Sequence, residues 1–152
     1  MTILAIDQAS GTSGFAWGTP EKGCLGCGVI NTKSRFVDVG GQMLLFERKL
    51  KDLITAAKPT CIAFESHRAH TGVIAAQMLG GVSAIVMKVA REHQIPYIGV
   101  DVPTWKKAFT GTPRATKQLV LAVAQKKYPH LYIKSHDTAD ALGILHGAFS
   151  KL

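Results

Sequence analysis

Two short apolar runs, each closed by an acid, constrain this chain more than any other feature. Thr2-Ile3-Leu4-Ala5-Ile6 leads into Asp7, and Thr60-Cys61-Ile62-Ala63-Phe64 leads into Glu65. A run of this length, apolar and partly β-branched, suits a strand covered on both faces. The acid that follows then sits where strand gives way to loop. In sheets clad by helices, functional groups collect at that end. Taken singly, each acid reads as well as a strand-end residue reaching solvent.

The remaining elements are ordered around these two strands. Residues 11–18 and 26–31 suit two further strands, with Glu21-Lys22-Gly23 as turn material, so the chain opens as a three-stranded antiparallel meander. Residues 40–57 space Met43, Phe46, Leu50, Leu53, Ile54 and Ala57 as one helical stripe, ended by Lys58-Pro59. The spacing predicts a long helix over 71–94. Gly80-Gly81 in its middle marks a kink or a close contact with another helix, since each glycine costs about 1 kcal/mol there. Residues 97–100 read as a strand and 103–109 as a short helix. Thr112-Pro113 reads as a cap and first residue of a helix to about 127, and Ser135 caps a last helix over 136–149. The order β-β-β-α-β-α-β-α-α predicts one α/β domain over residues 1–152. Its sheet is mixed and five-stranded, three antiparallel strands and then parallel ones, with helices on both faces.

Composition narrows the partners. The chain carries 18 Lys and Arg against 10 Asp and Glu, a net charge of +8, which favours a polyanion and nucleic acid first. Residues 1–7 lack the basic start of a secretion signal and run straight into an acid, and no apolar stretch is long enough to span a bilayer, so the expectation is no membrane and a cytoplasmic protein. Three cysteines, Cys24, Cys27 and Cys61, argue for a reducing compartment. Cys24-Leu25-Gly26-Cys27 lacks the second ligand pair that a structural zinc site needs, and reads as a chance pair on a β-hairpin.

Asp137 and Asp140 stand three apart at the start of a predicted helix and share a face. Asp137 also suits a first turn on dipole grounds alone. Asp140, within Thr138-Ala139-Asp140-Ala141-Leu142, is set in an otherwise apolar helix, which predicts a buried acid needing a counter-charge. Two strand-end acids and an Asp-x-x-Asp on a closing helix can converge. Clustered carboxylates repel, and a cation stabilises them. Oxygen-only ligands select Mg²⁺ or Mn²⁺ over zinc. Two such ions about 3.5–4 Å apart stabilise the attacking and leaving oxygens of a phosphodiester displacement.

The segments Ile3-Leu4-Ala5-Ile6-Asp7 with the Gly-rich turn after it, Ile62-Ala63-Phe64-Glu65, and Asp137-Thr138-Ala139-Asp140-Ala141-Leu142 resemble the RuvC-like Holliday-junction resolvases. Element order and length match as well. The resemblance implies an RNase H-like fold, a homodimer, and Mg²⁺-dependent nicking of two symmetry-related strands of a four-way junction, with Mn²⁺ a possible substitute. It implies Asp7, Glu65, Asp137 and Asp140 as catalytic metal ligands: Asp7 bridging two ions, Glu65 and Asp140 beside it, Asp137 more weakly. Lys106 and Lys117 sit where the family places basic residues near the scissile phosphate, and Arg114 joins them as a DNA-binding candidate. Residue 8 is Gln where many relatives have Pro. After Glu65, where cellular relatives carry an aromatic wedge, this chain has His67 and Arg68, which can stack on bases or contact phosphates. A compact, phage-type member, working in a bacterial or phage-infected cell, is implied.

The helix expected over 71–94 carries Val73, Ile74, Met78, Val82, Ile85, Val86 and Val89, more apolar surface than one core face needs, and is the candidate dimer contact. Three rival readings remain. One is an RNase H-like nuclease for flaps, other branched DNA or RNA–DNA hybrids, and another is a non-catalytic nucleic-acid-binding module of the same fold. The third is an actin-like sugar-kinase fragment, suggested by the acid and Gly-rich turn over 7–14; such proteins need two domains around a nucleotide, and this chain has length for one.

Overall fold

Strand β1 (Ile3–Asp7) is buried along its whole length, as its unbroken apolar run predicts. It pairs antiparallel with β2 (Thr12–Thr19) and parallel with β4 (Cys61–Ser66). β3 (Gly23–Asn31) pairs antiparallel with β2, and β5 (Tyr97–Asp101) pairs parallel with β4. The structure is a computed structural model that describes residues 1–9, 11–66 and 73–152, with side chains in the last segment described from residue 80. Among the described residues the strands form one five-stranded sheet in the order β3-β2-β1-β4-β5. Hairpins join the antiparallel strands, whereas the parallel returns to β4 and β5 pass through helices.

Helices α1 (Val39–Ala57) and α2 (Val73–Glu92) cover one face of the sheet, where Leu4, Ile6 and Ile62 meet Phe46, Leu50, Ile54, Val82, Val86 and Val89. Helices α3 (Val102–Thr110), α4 (Lys117–Lys127) and α5 (His136–Phe149) lie on the other side, where Ile3, Ala5 and Ala63 meet Trp105, Val120, Leu142 and Leu145. Alternation along β1 sends odd residues to the α5 face and even residues to the α1–α2 face. α5 is apolar nearly all round because it is enclosed by the sheet and by α3 and α4.

Several boundaries move from the expected ones. α4 starts at Lys117, capped by Thr116, whose side chain accepts from Leu119 N–H at 3.2 Å. The Thr112-Pro113 start fails because residues 110–114 are tied into a turn: Thr112 N–H donates to Thr110 Oγ1, and Arg114 N–H to Thr112 Oγ1. β3 begins at Gly23 rather than at 26, and pairs past an irregularity at Trp17/Gly18 that leaves Leu25 without a partner residue. Helix α2 runs through Gly80-Gly81 without a break. The glycines serve the close-contact reading: a Cβ on Gly81 would lie 2.6 Å from Met43 Cε of α1. Val82, Val86 and Val89 are consumed by the chain's own core, and the side chains of Val73, Ile74 and Met78 lie outside those described. No described helix is long and apolar enough to cross a membrane.

Candidate active site

Asp7 ends β1 with its side chain on the α5 face, only 9% exposed. Its antiparallel partner is Gly14. A Cβ at Gly14 would fall onto the Asp137 carbonyl, so the first turn of α5 rests directly on the backbone opposite Asp7. Ser135 fixes that turn by accepting hydrogen bonds from the N–H groups of Asp137 and Thr138 at 3.1 and 3.4 Å. Thr138 Oγ1 then donates to the Gly28 carbonyl at 3.2 Å and pins the helix start to β3. Asp137 and Asp140 are thereby delivered to the same sheet end as Asp7.

Glu65 arrives from β4. Ile6 pairs with Phe64, so Glu65 is the next residue beside Asp7 and shares its face. Its carboxylate is held at 2.9 Å by the indole Nε1–H of Trp105, a fully buried side chain of α3. Trp105 in turn packs against Gly143 and Gly147 of α5, so α3, α5 and β4 meet at this contact.

The acids act on one another. Burial raises the Asp7 carboxyl well above its ordinary value, and the charges of Glu65, Asp140 and Asp137 raise it further, while Lys117 pulls it down. Burial, then Glu65, pushes Asp140 up to about 6 against the opposing pull of Lys117 and Lys106. The counter-charge that the sequence demanded for Asp140 thus comes from two lysines on different helices.

An oxygen-only cation site fits this arrangement. Among the described residues no hydrogen-bond donor or ion-pair partner meets the Asp7 carboxylate, although it is nine-tenths buried. A divalent ion would relieve both the burial and the mutual repulsion. Among the described residues no group of three or more Asp, Glu, His or Cys side chains closes into a ready metal cage. The acids are gathered within electrostatic range, as expected of like charges that a cation must draw together.

His67 and Arg68 fall outside the described residues. Arg114 is exposed in the turn before α4. The three cysteines are free, and both Cys24 and Cys27 pack on the α5 side of β3. Sequence reasoning missed Trp105 and Gln8. The signal for Trp105 was a tryptophan directly before Lys106; for Gln8 it was an amide directly after the strand-end acid, buried here to 1% exposure.

Comparison with known proteins agrees with the geometry. The family model described as "Crossover junction endodeoxyribonuclease RuvC" matches residues 3–146. A protein of that name from Nitratidesulfovibrio vulgaris is 30% identical over 123 residues, covering 79% of this chain and 73% of the relative. One from Rickettsia massiliae is 26% identical over 150 residues, covering 96% and 95%. Among solved structures, Thermus thermophilus RuvC in complex with a Holliday junction substrate superposes with a TM-score of 0.83 at 19% identity, over 99% of this chain and 94% of that one. The yeast mitochondrial Holliday junction resolvase superposes at 0.62 and 16% identity, over 97% and 78%. These two likenesses establish the shared fold.

Proposed function

The chain belongs to the RuvC family of crossover junction endodeoxyribonucleases, and from that membership we propose that it nicks four-way DNA junctions by divalent-cation-dependent hydrolysis. The observation that carries this reading is the buried Asp7 carboxylate, set against Glu65, Asp140 and Asp137 and met by no donor among the described residues. Asp7, Glu65 and Asp140 would hold Mg²⁺, or Mn²⁺ in its place, with Asp137 at the outer edge. When bound, the cations would activate the attacking water and stabilise the leaving 3′ oxygen, so that 5′-phosphate and 3′-hydroxyl ends result. Trp105 orients one oxygen of Glu65 by donating its indole N–H to it. Lys106 and Lys117 lie close enough to Asp140 to shift it, which supports a role for them in neutralising the phosphate being cut.

A four-way junction presents two symmetry-related strands, and this chain carries one set of acids. We therefore propose a homodimer whose two sites cut in pairs. Its setting is the cytoplasm of a bacterial or phage-infected cell, where such junctions arise.

The test is a nuclease assay on a synthetic four-way junction, a flap and an RNA–DNA hybrid, each with Mg²⁺ or with a chelator. Paired nicks in the junction, abolished by the chelator, are expected. Asp7→Asn should lower the rate by roughly a thousandfold or more while junction binding persists. Full cleavage by that variant overturns the assignment of Asp7, and preference for the flap or the hybrid overturns the choice of substrate.

A further inference from the structure

Gln8 follows Asp7 and is 1% exposed, a degree of burial that glutamine rarely reaches. Strand alternation turns it away from Asp7, to the face covered by α2. Its carboxamide makes three hydrogen bonds there. Nε2 donates to the Glu65 carbonyl at 2.6 Å and to Ser83 Oγ of α2 at 3.0 Å, and Oε1 accepts from Glu65 N–H at 3.2 Å. One side chain therefore meets both peptide groups of Glu65. In a parallel pair those two bonds would come from the backbone of the neighbouring strand. Ile6 and Phe64 are the last residues at which β1 and β4 are in register, and one step beyond them this carboxamide joins the strands.

We propose that Gln8 is a positioning residue: its carboxamide prolongs the β1–β4 pairing by one step, sets the Glu65 backbone beside Asp7, and ties that placement through Ser83 to the seating of helix α2. The inference rests on the reading of Asp7 and Glu65 as cation ligands. Glu65 is then anchored twice, at its carboxylate by Trp105 from the α3 side and at its peptide groups by Gln8 from the α2 side. Neither anchor is itself a ligand. Together they fix Glu65 on the side where β1 pairing has ended, while its pairing with β5 continues through Ser66. A displacement of α2 would reach Glu65 through Ser83 and Gln8, a path that Trp105 does not share.

The experiment measures Mn²⁺ binding to the whole protein without DNA, by the loss of the free-ion electron paramagnetic resonance signal. Melting temperature and the Mn²⁺ concentration for half-maximal junction cleavage are recorded alongside. Gln8→Met keeps the volume and removes all three bonds. It should weaken Mn²⁺ binding by about tenfold or more, the usual effect of losing a group that orients a ligand. The half-maximal Mn²⁺ concentration should rise by the same factor, with kcat largely recovered at saturating metal. Ser83→Ala removes one bond and should shift both quantities in the same direction by less. A lowered melting temperature with unchanged Mn²⁺ affinity in Gln8→Met would reduce Gln8 to a packing residue and overturn the proposal. Should Gln8→Met not fold, unchanged affinity in Ser83→Ala overturns it instead. A wild-type protein that binds no Mn²⁺ sinks the reading of the acids itself, and the wild-type measurement separates that failure from the other.

Discussion

The two faces of the sheet are packed by different means, and only one of them carries the acids. On the α5 face the contacts are between backbones or against rigid rings. Gly14 admits the Asp137 carbonyl, Gly143 admits the Trp105 ring, and a Cβ on Gly147 would lie 2.7 Å from Trp105 Cβ. Where α1 packs on α2, the close approach at Gly81 is to the far end of a flexible methionine. A recess of about 20 Å³ remains there between Ala9, Gly11, Met43, Phe46 and Val82. Outside it, Glu47 and Glu92 bridge Lys51 and Lys88 across α1 and α2 at 2.7 to 3.2 Å. Carboxylates that must meet one ion tolerate little displacement. They sit where a helix backbone and a buried ring press on the sheet and on α5, while the α1–α2 seam is held by side chains that can adjust.

The sharpest way to break that contrast is Gly14→Ala. The added methyl group must push the Asp137 backbone away, which should cost about 3 kcal/mol of stability and abolish Mn²⁺ binding. Unfolding in denaturant with a matched Mn²⁺ titration checks it, and a variant that stays stable and binds metal would show the α5 face to be as forgiving as the other.

A pH series on metal-free protein comes next. Asp140 is pushed up to about 6, so its charged form opposes folding above that value, and the penalty disappears as pH falls towards the ordinary value of 3.8. Wild type should therefore gain stability relative to Asp140→Asn as pH falls through 6. His146, on the same helix, works the other way. Burial, and then Lys127, hold it down at about 4, so it stabilises the fold when neutral and that stability is lost as pH falls from 6.5 towards 4. Taking the difference between the two proteins removes the His146 contribution. A pH-independent difference would mean that burial and the neighbouring acids do not raise Asp140.

Gly81→Ala serves as the counterpart to Gly14→Ala. Met43 can swing aside and alanine favours the helix, so the net change should stay within about 1 kcal/mol. A large loss would erase the distinction between the faces. Smallest of all is Lys88→Ala, which removes two exposed ion pairs and should leave the melting temperature unchanged at moderate salt. A clear drop would reveal that the α1–α2 cluster, and not apolar packing alone, seats α2.

Much of this was readable from the chain. The strand-end acids, the Asp-x-x-Asp and the cap at Ser135 all lie where their local patterns put them. The start of α4 was misread because Thr112-Pro113 imitates a helix cap while its side chains close a turn. The paired glycines of α2 were ambiguous because a kink and a close contact leave the same mark on a sequence. Trp105 beside Lys106 and Gln8 beside Asp7 marked only their own positions, and their partner stayed hidden because each acts on Glu65 from a remote segment.

Periodicity, apolar run length and capping are properties of neighbouring residues, so the sequence alone determined which segments are strands or helices and which side chains on each share a face. Meeting across the fold is a matter of register and close approach. Only the tertiary structure decided that Asp7 would lie under α5, that Lys106 and Lys117 would supply the charge Asp140 needs, and that an amide at position 8 would hold Glu65. The physical reason is that each of these depends on how far one backbone can approach another, which no single segment contains.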